Sequence, residues 1–278
     1  MDKVKENKVD YNFDVSKIVS YLKEYKKDLP NLYTRKINIE KLVDLDVIDK
    51  IKLINLNKKT PYNREIDLKK IIENKLNLYK KDNKLKFNTL CQWIIKDWGR
   101  ISSAKDKSNQ DLIENFWINN ENISFERIAS SSKLYSFMDP KNYVIYDSRV
   151  AFSINWIIFI QNAGDFYFPI PSGRNSKMKA FDMNVLIRLK YINKYKTKKI
   201  CDIHNNSDNN LKSIDDTIFI QKNKSYMELN DLIKKINSEL WDDKRKKNLF
   251  FTEMLLFSIA DSEVFNDIIE KIRLKNMT

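Results

Sequence analysis

Three glycines and five prolines in 278 residues leave very few places where a helix is obliged to stop. Most apolar residues recur at spacings of three and four rather than two, so the chain is predicted to be all-α. The spacing places helices near 14–28, 38–56, 64–81, 87–98, 109–118, 124–138, 148–161, 182–197, 225–240 and 246–273, the last with a break. Gly99 after "CQWIIKDW" and Pro140 in "FMDPKN" read as helix stops. "AGDFYFPIPSGRNSK" reads as a long irregular loop, and "CDIHNNSDNNLKSIDD" as a polar, exposed one. Residues 1–86, dominated by Lys, Asn, Asp and Leu, are expected to form a separate N-terminal helical lobe, with 87–278 as the second unit. No internal repeat is present.

The same scarcity excludes function classes. With glycines only at 99, 164 and 173, neither a dinucleotide-binding nor a P-loop phosphate cradle can be written. His204 is the only histidine, and Cys91 and Cys201 are the only cysteines, so no metal site, cofactor or disulfide is expected. A serine or cysteine nucleophile would have to recruit His204 from a polar loop, which leaves carboxylate or lysine chemistry. No run of about eighteen uncharged apolar residues occurs. "MDKVKENKVD" carries no apolar stretch after its basic residues, so a cytoplasmic protein without a membrane partner is expected.

Lys and Arg number 51 against 38 Asp and Glu, a net charge of +13, which points to a polyanion such as nucleic acid. Richness in Lys, Asn and Ile is also what AT-rich codons produce, so distribution is the better guide. Arg174 to Lys199 holds nine basic residues and one acidic one. Tyr191 and Tyr195 interleave with its lysines at helical spacing, which suits either phosphate contact with aromatic support or a solvated helix face.

One stretch concentrates the chemistry. In "NYVIYDSRVAFSINWIIFI", residues 142–160, Asp147 stands between an extended apolar segment and a helix that is apolar nearly all round. Asp before such a helix is a common N-cap, and both backbone N–H bonds and the helix dipole favour its ionised form. Capping and a functional carboxylate are compatible readings of this residue.

"IYDSRVAFSINWI" resembles the segment of helix-hairpin-helix DNA glycosylases in which an aspartate, a small hydroxyl residue, a basic residue and Val open a central helix; Asp147, Ser148, Arg149 and Val150 fill those positions. "RIASSSKLYSFMDPKNYVIYD" resembles the helix, proline turn and extended lead to that aspartate, and "TEMLLFSIA" is similar to the C-terminal helix of bacterial proteins with the 8-oxoguanine-glycosylase fold. The likeness is best over 123–160, weaker over 225–260 and absent over the first 86 residues. It implies a two-lobed helical fold with a cleft between lobes, and DNA as partner, either a duplex with a flipped base or a single strand. It implies Asp147 as the carboxylate that stabilises oxocarbenium character at the sugar. Some bacterial members act in anti-phage defence. Trp98, Trp117, Trp156, Phe166 and Phe168 are candidates for the base pocket, and Arg149, Arg174, Lys177, Lys179, Lys190 and Lys194 for DNA contact; no obligatory protein partner is evident.

The chain departs from the family in three ways. "ENISFERIASSSK" has no glycine for an amide hairpin on DNA phosphates. The lysine nucleophile of bifunctional members has no residue in register: Lys133 sits about one turn closer to Asp147 and reads as a surface or phosphate lysine, with a shifted nucleophile as the alternative. The iron–sulfur cysteine quartet is absent. A monofunctional enzyme leaving an abasic site is therefore expected, with a catalytically inactive DNA- or nucleotide-binding module of the same fold, or a helical interaction protein, as rivals.

Overall fold

The computed structural model describes residues 10–101, 106–118, 123–173, 175–196 and 208–272. Among them the chain is all-α; the only β pairings are isolated bridges, Phe13 with Gly164 and Tyr167 with Phe219. The helices are α1 (Val15–Lys23), α2 (Leu29–Leu32), α3 (Lys41–Asp44), α4 (Lys50–Asn57), α5 (Pro61–Asp82), α6 (Lys84–Trp93), α7 (Asp106–Trp117), α8 (Ile128–Met138) and α9 (Ser148–Gln161). There follow α10 (Ser176–Ala180), α11 (Met183–Lys190), α12 (Asp208–Asp215), α13 (Lys222–Leu240), α14 (Phe250–Ile259) and α15 (Glu263–Lys271). None is long and apolar enough to cross a membrane.

Short polar side chains start these helices where glycine is missing. Asp14, Asp49, Thr60, Asn83, Asp147, Asn175 and Asp182 each accept a backbone N–H from the first turn that follows. Thr60 is followed by Pro61 at the first helical position, where a missing N–H costs nothing. Asn83 ends α5 and caps α6, so two helices meet with no loop.

Several predicted boundaries are corrected. The run 38–56 is two short helices, because Asp46 takes a left-handed backbone (φ 57°) and Asp49 caps a fresh start. The predicted helix 182–197 stops at Lys190 and continues only as a 3-10 turn, Ile192–Tyr195. The polar stretch read as a loop contains α12, and 246–273 breaks between α14 and α15 at Ala260–Ser262. His204, Cys201 and Arg174 lie outside the described residues.

Two apolar clusters form. The first gathers α1, α9, α13, α14 and α15; the second gathers α5, α6, the π turn Ile94–Trp98 that ends α6, α7 and most of α8. Packing runs across the expected junction at residue 86, since Leu68, Ile72 and Leu76 share a cluster with Phe87, Leu90 and Cys91. Tyr11 to Tyr33, meanwhile, pack with the C-terminal helices.

The extended segment before Asp147 is the seam between the clusters. Val144 and Tyr146 face the first and Ile145 the second, the two-residue alternation of an extended chain. It has no neighbouring strand, so side chains satisfy its amides. Val144 N donates to Asn230 Oδ1 at 2.9 Å, Ile145 N to Glu253 Oε2 at 3.3 Å and Tyr146 N to Ser132 Oγ at 2.9 Å. Beyond it, α9 is buried from Val150 to Ile158.

Polar groups lock α9 in place. Asn155 Nδ2 donates to Phe168 O at 2.7 Å while its Oδ1 accepts Phe168 N at 2.8 Å, and Trp156 Nε1 donates to Asp267 Oδ2 at 2.7 Å. Asn155→Ala strands a buried N–H and a buried C=O together. It is expected to lower stability by about 3 kcal/mol in urea denaturation, where a surface Asn→Ala costs less than about 0.5.

Candidate active-site pocket

Asp147 caps α9 from an extended backbone, and one oxygen does the capping: Oδ1 accepts Arg149 N and Val150 N, both at 3.0 Å. Oδ2 accepts no hydrogen bond among the described residues. The half-buried carboxylate lines a pocket of about 850 Å³ that Lys133 and Arg149 also line. Distant segments complete the wall: residues 31–36 at and beyond the end of α2, Gly99 and Arg100 after the π turn, Lys177 of α10, and Phe257, Ser258 and Asp261 to Glu263 where α14 gives way to α15. Six lining residues are cationic and three acidic, so the pocket carries net positive charge.

Lys133 corrects the reading of a surface lysine. It is only 5% exposed, with its stem against Gly99, where an added Cβ would lie 3.1 Å from Lys133 Cδ and 2.4 Å from Ile95 O. Glycine stands at 99 because of that close approach. A helical side chain leans toward the N-terminus of its helix, and Lys133 Nζ reaches back one turn to donate to Ala129 O. It makes no direct ion pair with Asp147. Burial lowers its amine to about 8, helped by the Arg35 and Lys69 charges and opposed by Asp147 and Glu253.

Beneath the pocket lies a buried charged pair that no sequence pattern announced. Lys69 of α5 and Glu253 of α14 are 3% and 4% exposed, with Nζ 3.7 Å from Oε2. Lys69 Nζ has no hydrogen bond and faces the Phe137, Trp98 and Phe250 rings at 4.7, 5.3 and 5.5 Å. Burial raises the Glu253 carboxyl above its ordinary value, opposed by Lys69 and reinforced by Asp147. Glu253 also accepts Ser136 Oγ at 3.5 Å as well as Ile145 N. One carboxylate thus ties the helix carrying Lys133 to the segment carrying Asp147.

The basic residues expected to act together are divided. Arg149 and Lys177 line the pocket, but Arg149 Nη2 pairs with Asp261 Oδ2 at 2.8 Å and Lys177 Nζ donates to Asp261 O at 2.9 Å. Lys179 is exposed on α10 outside the pocket. Lys190 Nζ donates to Phe159 O and Asn162 Oδ1, at the far end of α9, roughly 20 Å from Asp147 by helical rise. Lys194 Nζ reaches Thr217 Oγ1 at 3.5 Å.

None of the five aromatic candidates lines the pocket. Trp156 and Phe168 are core, and Phe166 packs edge-on against Tyr11. Trp117 lies edge-on to Phe87 in the second cluster. Trp98, 2% exposed, donates Nε1 to Glu65 and supports the wall from below. The aromatic residues that do line it are Tyr33 and Phe257. Phe257 lies within the "TEMLLFSIA" motif, a signal that could have found it; Tyr33 had none, because only the fold brings 31–36 there. Among the described residues no cluster of metal-ligating side chains forms.

No protein-family model, curated protein or solved structure matches this chain.

The amine of Lys133 gives the pocket a pH dependence. Below about pH 8 the folded protein holds a buried ammonium; between about 8 and 10.5 the folded state has released that proton and the unfolded chain has not, so stability rises with pH across that window. Lys133→Met, which keeps the stem, is expected to stabilise by about 2 kcal/mol at pH 7. In urea denaturation the gain fades by pH 10.5. Glu253→Gln removes a nearby negative charge and moves the Lys133 midpoint below 8, read from the pH dependence of reductive methylation at that residue.

Proposed function

We propose that this chain is a DNA glycosylase of helix-hairpin-helix type, with two lobes built on the two apolar clusters, hydrolysing the N-glycosidic bond of a damaged or modified base. The observation that supports this is the division between the oxygens of Asp147: Oδ1 is held by two α9 amides, and Oδ2 is left to an open, positively charged pocket. The preceding elements agree with the resemblance: helix α8, a turn at Pro140, and an extended lead into the aspartate. The pocket lies within the usual volume range for small-molecule sites, and a nucleotide flipped from the stack is of that size.

In this reading the C1′–N bond of the target nucleotide breaks, its electron pair leaves with the base, and the sugar gains oxocarbenium character. A fixed carboxylate beside that charge lowers the barrier without having to reorganise. Water then forms the new C1′–O bond and loses its proton to Oδ2. The departing base takes up a proton from solvent, and the products are a free base and an abasic sugar. Phe257, backed by the buried Tyr33 ring, supplies apolar surface for the base, and the cations of the rim meet the flanking phosphates.

Lys133 favours a second reading. An amine held near 8 in the same pocket is neutral in about half the molecules at that pH, and a neutral amine is a nucleophile. Attack by Nζ at C1′ would expel the base, leave an imine and break the strand without alkali.

The test is base release from oligonucleotides carrying damaged or modified bases, phage DNA included, with abasic sites revealed by alkali. Asp147→Asn is expected to slow release about 100-fold or more, and full activity in that variant would sink the assignment. Breaks without alkali, trapped by borohydride and lost in Lys133→Met, would identify the lysine route. Binding without base release would identify an inactive recognition module.

A further inference from the structure

One wall of the pocket, beside Lys133, is built at some local cost. α6 ends in a π turn, Ile94–Trp98, Gly99 follows where no Cβ fits, and Arg100 then takes a left-handed backbone with φ 52°. π turns and left-handed non-glycine residues are both uncommon, and both cluster at functional sites. Here they fall on seven consecutive residues, the last two of which line the pocket.

Their joint effect is to set two arginines against each other across two strands of irregular chain. Arg35 Nη2 donates to Trp98 O, and Arg100 Nη2 donates to Lys36 O at 2.6 Å. Each guanidinium therefore holds the main chain beside the other. Arg35 is fixed further by stacking on the Trp98 ring, with its guanidinium carbon 3.9 Å from the centroid. Among the described residues no carboxylate pairs with either arginine, whereas Arg149 in the same pocket has Asp261. Two guanidinium groups held on neighbouring main chain, neither paired with a carboxylate among the described residues, carry the charge and the donors that a phosphate takes.

We infer that Arg35 and Arg100 form a phosphate-binding clasp in the pocket that Asp147 also lines, which seats a phosphate ester of the nucleotide whose sugar meets Oδ2. The inference rests on the glycosylase reading only for the source of that phosphate. A polynucleotide backbone and a free nucleotide offer the same chemistry.

Arg100→Gly is the decisive variant, because glycine relieves the left-handed backbone while removing the cation, and loss of fold is not its expected consequence. The probes are a labelled duplex oligonucleotide, the same strand alone, deoxyadenosine 5′-monophosphate, and deoxyadenosine as the phosphate-free control. Arg100→Gly should hold its melting temperature, weaken binding of the phosphate-bearing probes about tenfold, and reduce the salt dependence of oligonucleotide binding by about one ion. Arg100→Lys should retain part of the affinity and the full salt dependence. Wild-type affinity of Arg100→Gly for every probe overturns the clasp, as does deoxyadenosine bound as tightly as its monophosphate, or a wild-type protein that binds none of the probes. Loss of monophosphate binding in Arg100→Gly, with no DNA bound by the wild type, supports the clasp and removes the DNA reading. Base release from DNA that Arg100→Gly performs with unchanged affinity keeps the glycosylase reading and removes the clasp.

Discussion

The structure turns on five residues that form no regular element. Tyr143 to Asp147 run extended between two apolar clusters, with Val144 and Tyr146 in one and Ile145 in the other. An extended strand in a helical protein has no ladder to satisfy its backbone, and a buried amide without a partner costs as much as a lost hydrogen bond. Asn230 of α13, Glu253 of α14 and Ser132 of α8 each take one amide, and Tyr226 OH donates to Val144 O. Three helices are thereby fastened to one segment, and that segment delivers Asp147 to the start of α9. The position of the carboxylate is therefore set by the packing of both clusters, with little freedom left to the loop itself.

The same arrangement explains why so much charge is buried where the clusters meet. Lys69, Glu253 and Lys133 are nearly inaccessible, and burial disfavours the charged forms of Glu253 and Lys133. An apolar trio of similar volume would hold the fold as well or better. Glu253 does structural and electrostatic duty at once, accepting from Ile145 N while its charge opposes the lowering of the Lys133 amine.

How much of this was legible follows from which contacts are local. Three glycines and helical spacing were enough for an all-α chain, and the Asp147 cap with its apolar helix could be read residue by residue, since both are matters of a few neighbouring positions. The other half of the pocket could not. Residues 31–36 and 261–263 carry no motif for a pocket, and 31–36 come to it because α2 packs on α14. Lys133 looked like a surface residue because a lysine usually is; its burial depends on Gly99, 34 positions away, lacking a side chain. The aromatic residues misled for the opposite reason: Trp156 and Phe168 are large, and in a chain of this size large apolar groups are consumed by the core before a pocket can use them.

Among the described residues, most of the basic run lies away from the pocket. The run from Arg174 to Lys199 is the most basic in the sequence, yet Lys190 is spent on the C-terminal carbonyl of Phe159 and on Asn162, where a cation complements the helix dipole at the end of α9 that faces away from Asp147. Arg188 is spent on Asp215. Arg35 and Arg100, two pocket-lining cations without an acidic partner among the described residues, come from stretches far less basic than that run. A basic run measures how many cations a segment holds. What a ligand meets is the subset that the fold orients and leaves unpaired, and here a strained backbone at Arg100 and a stacked guanidinium at Arg35 mark that subset more plainly than any count.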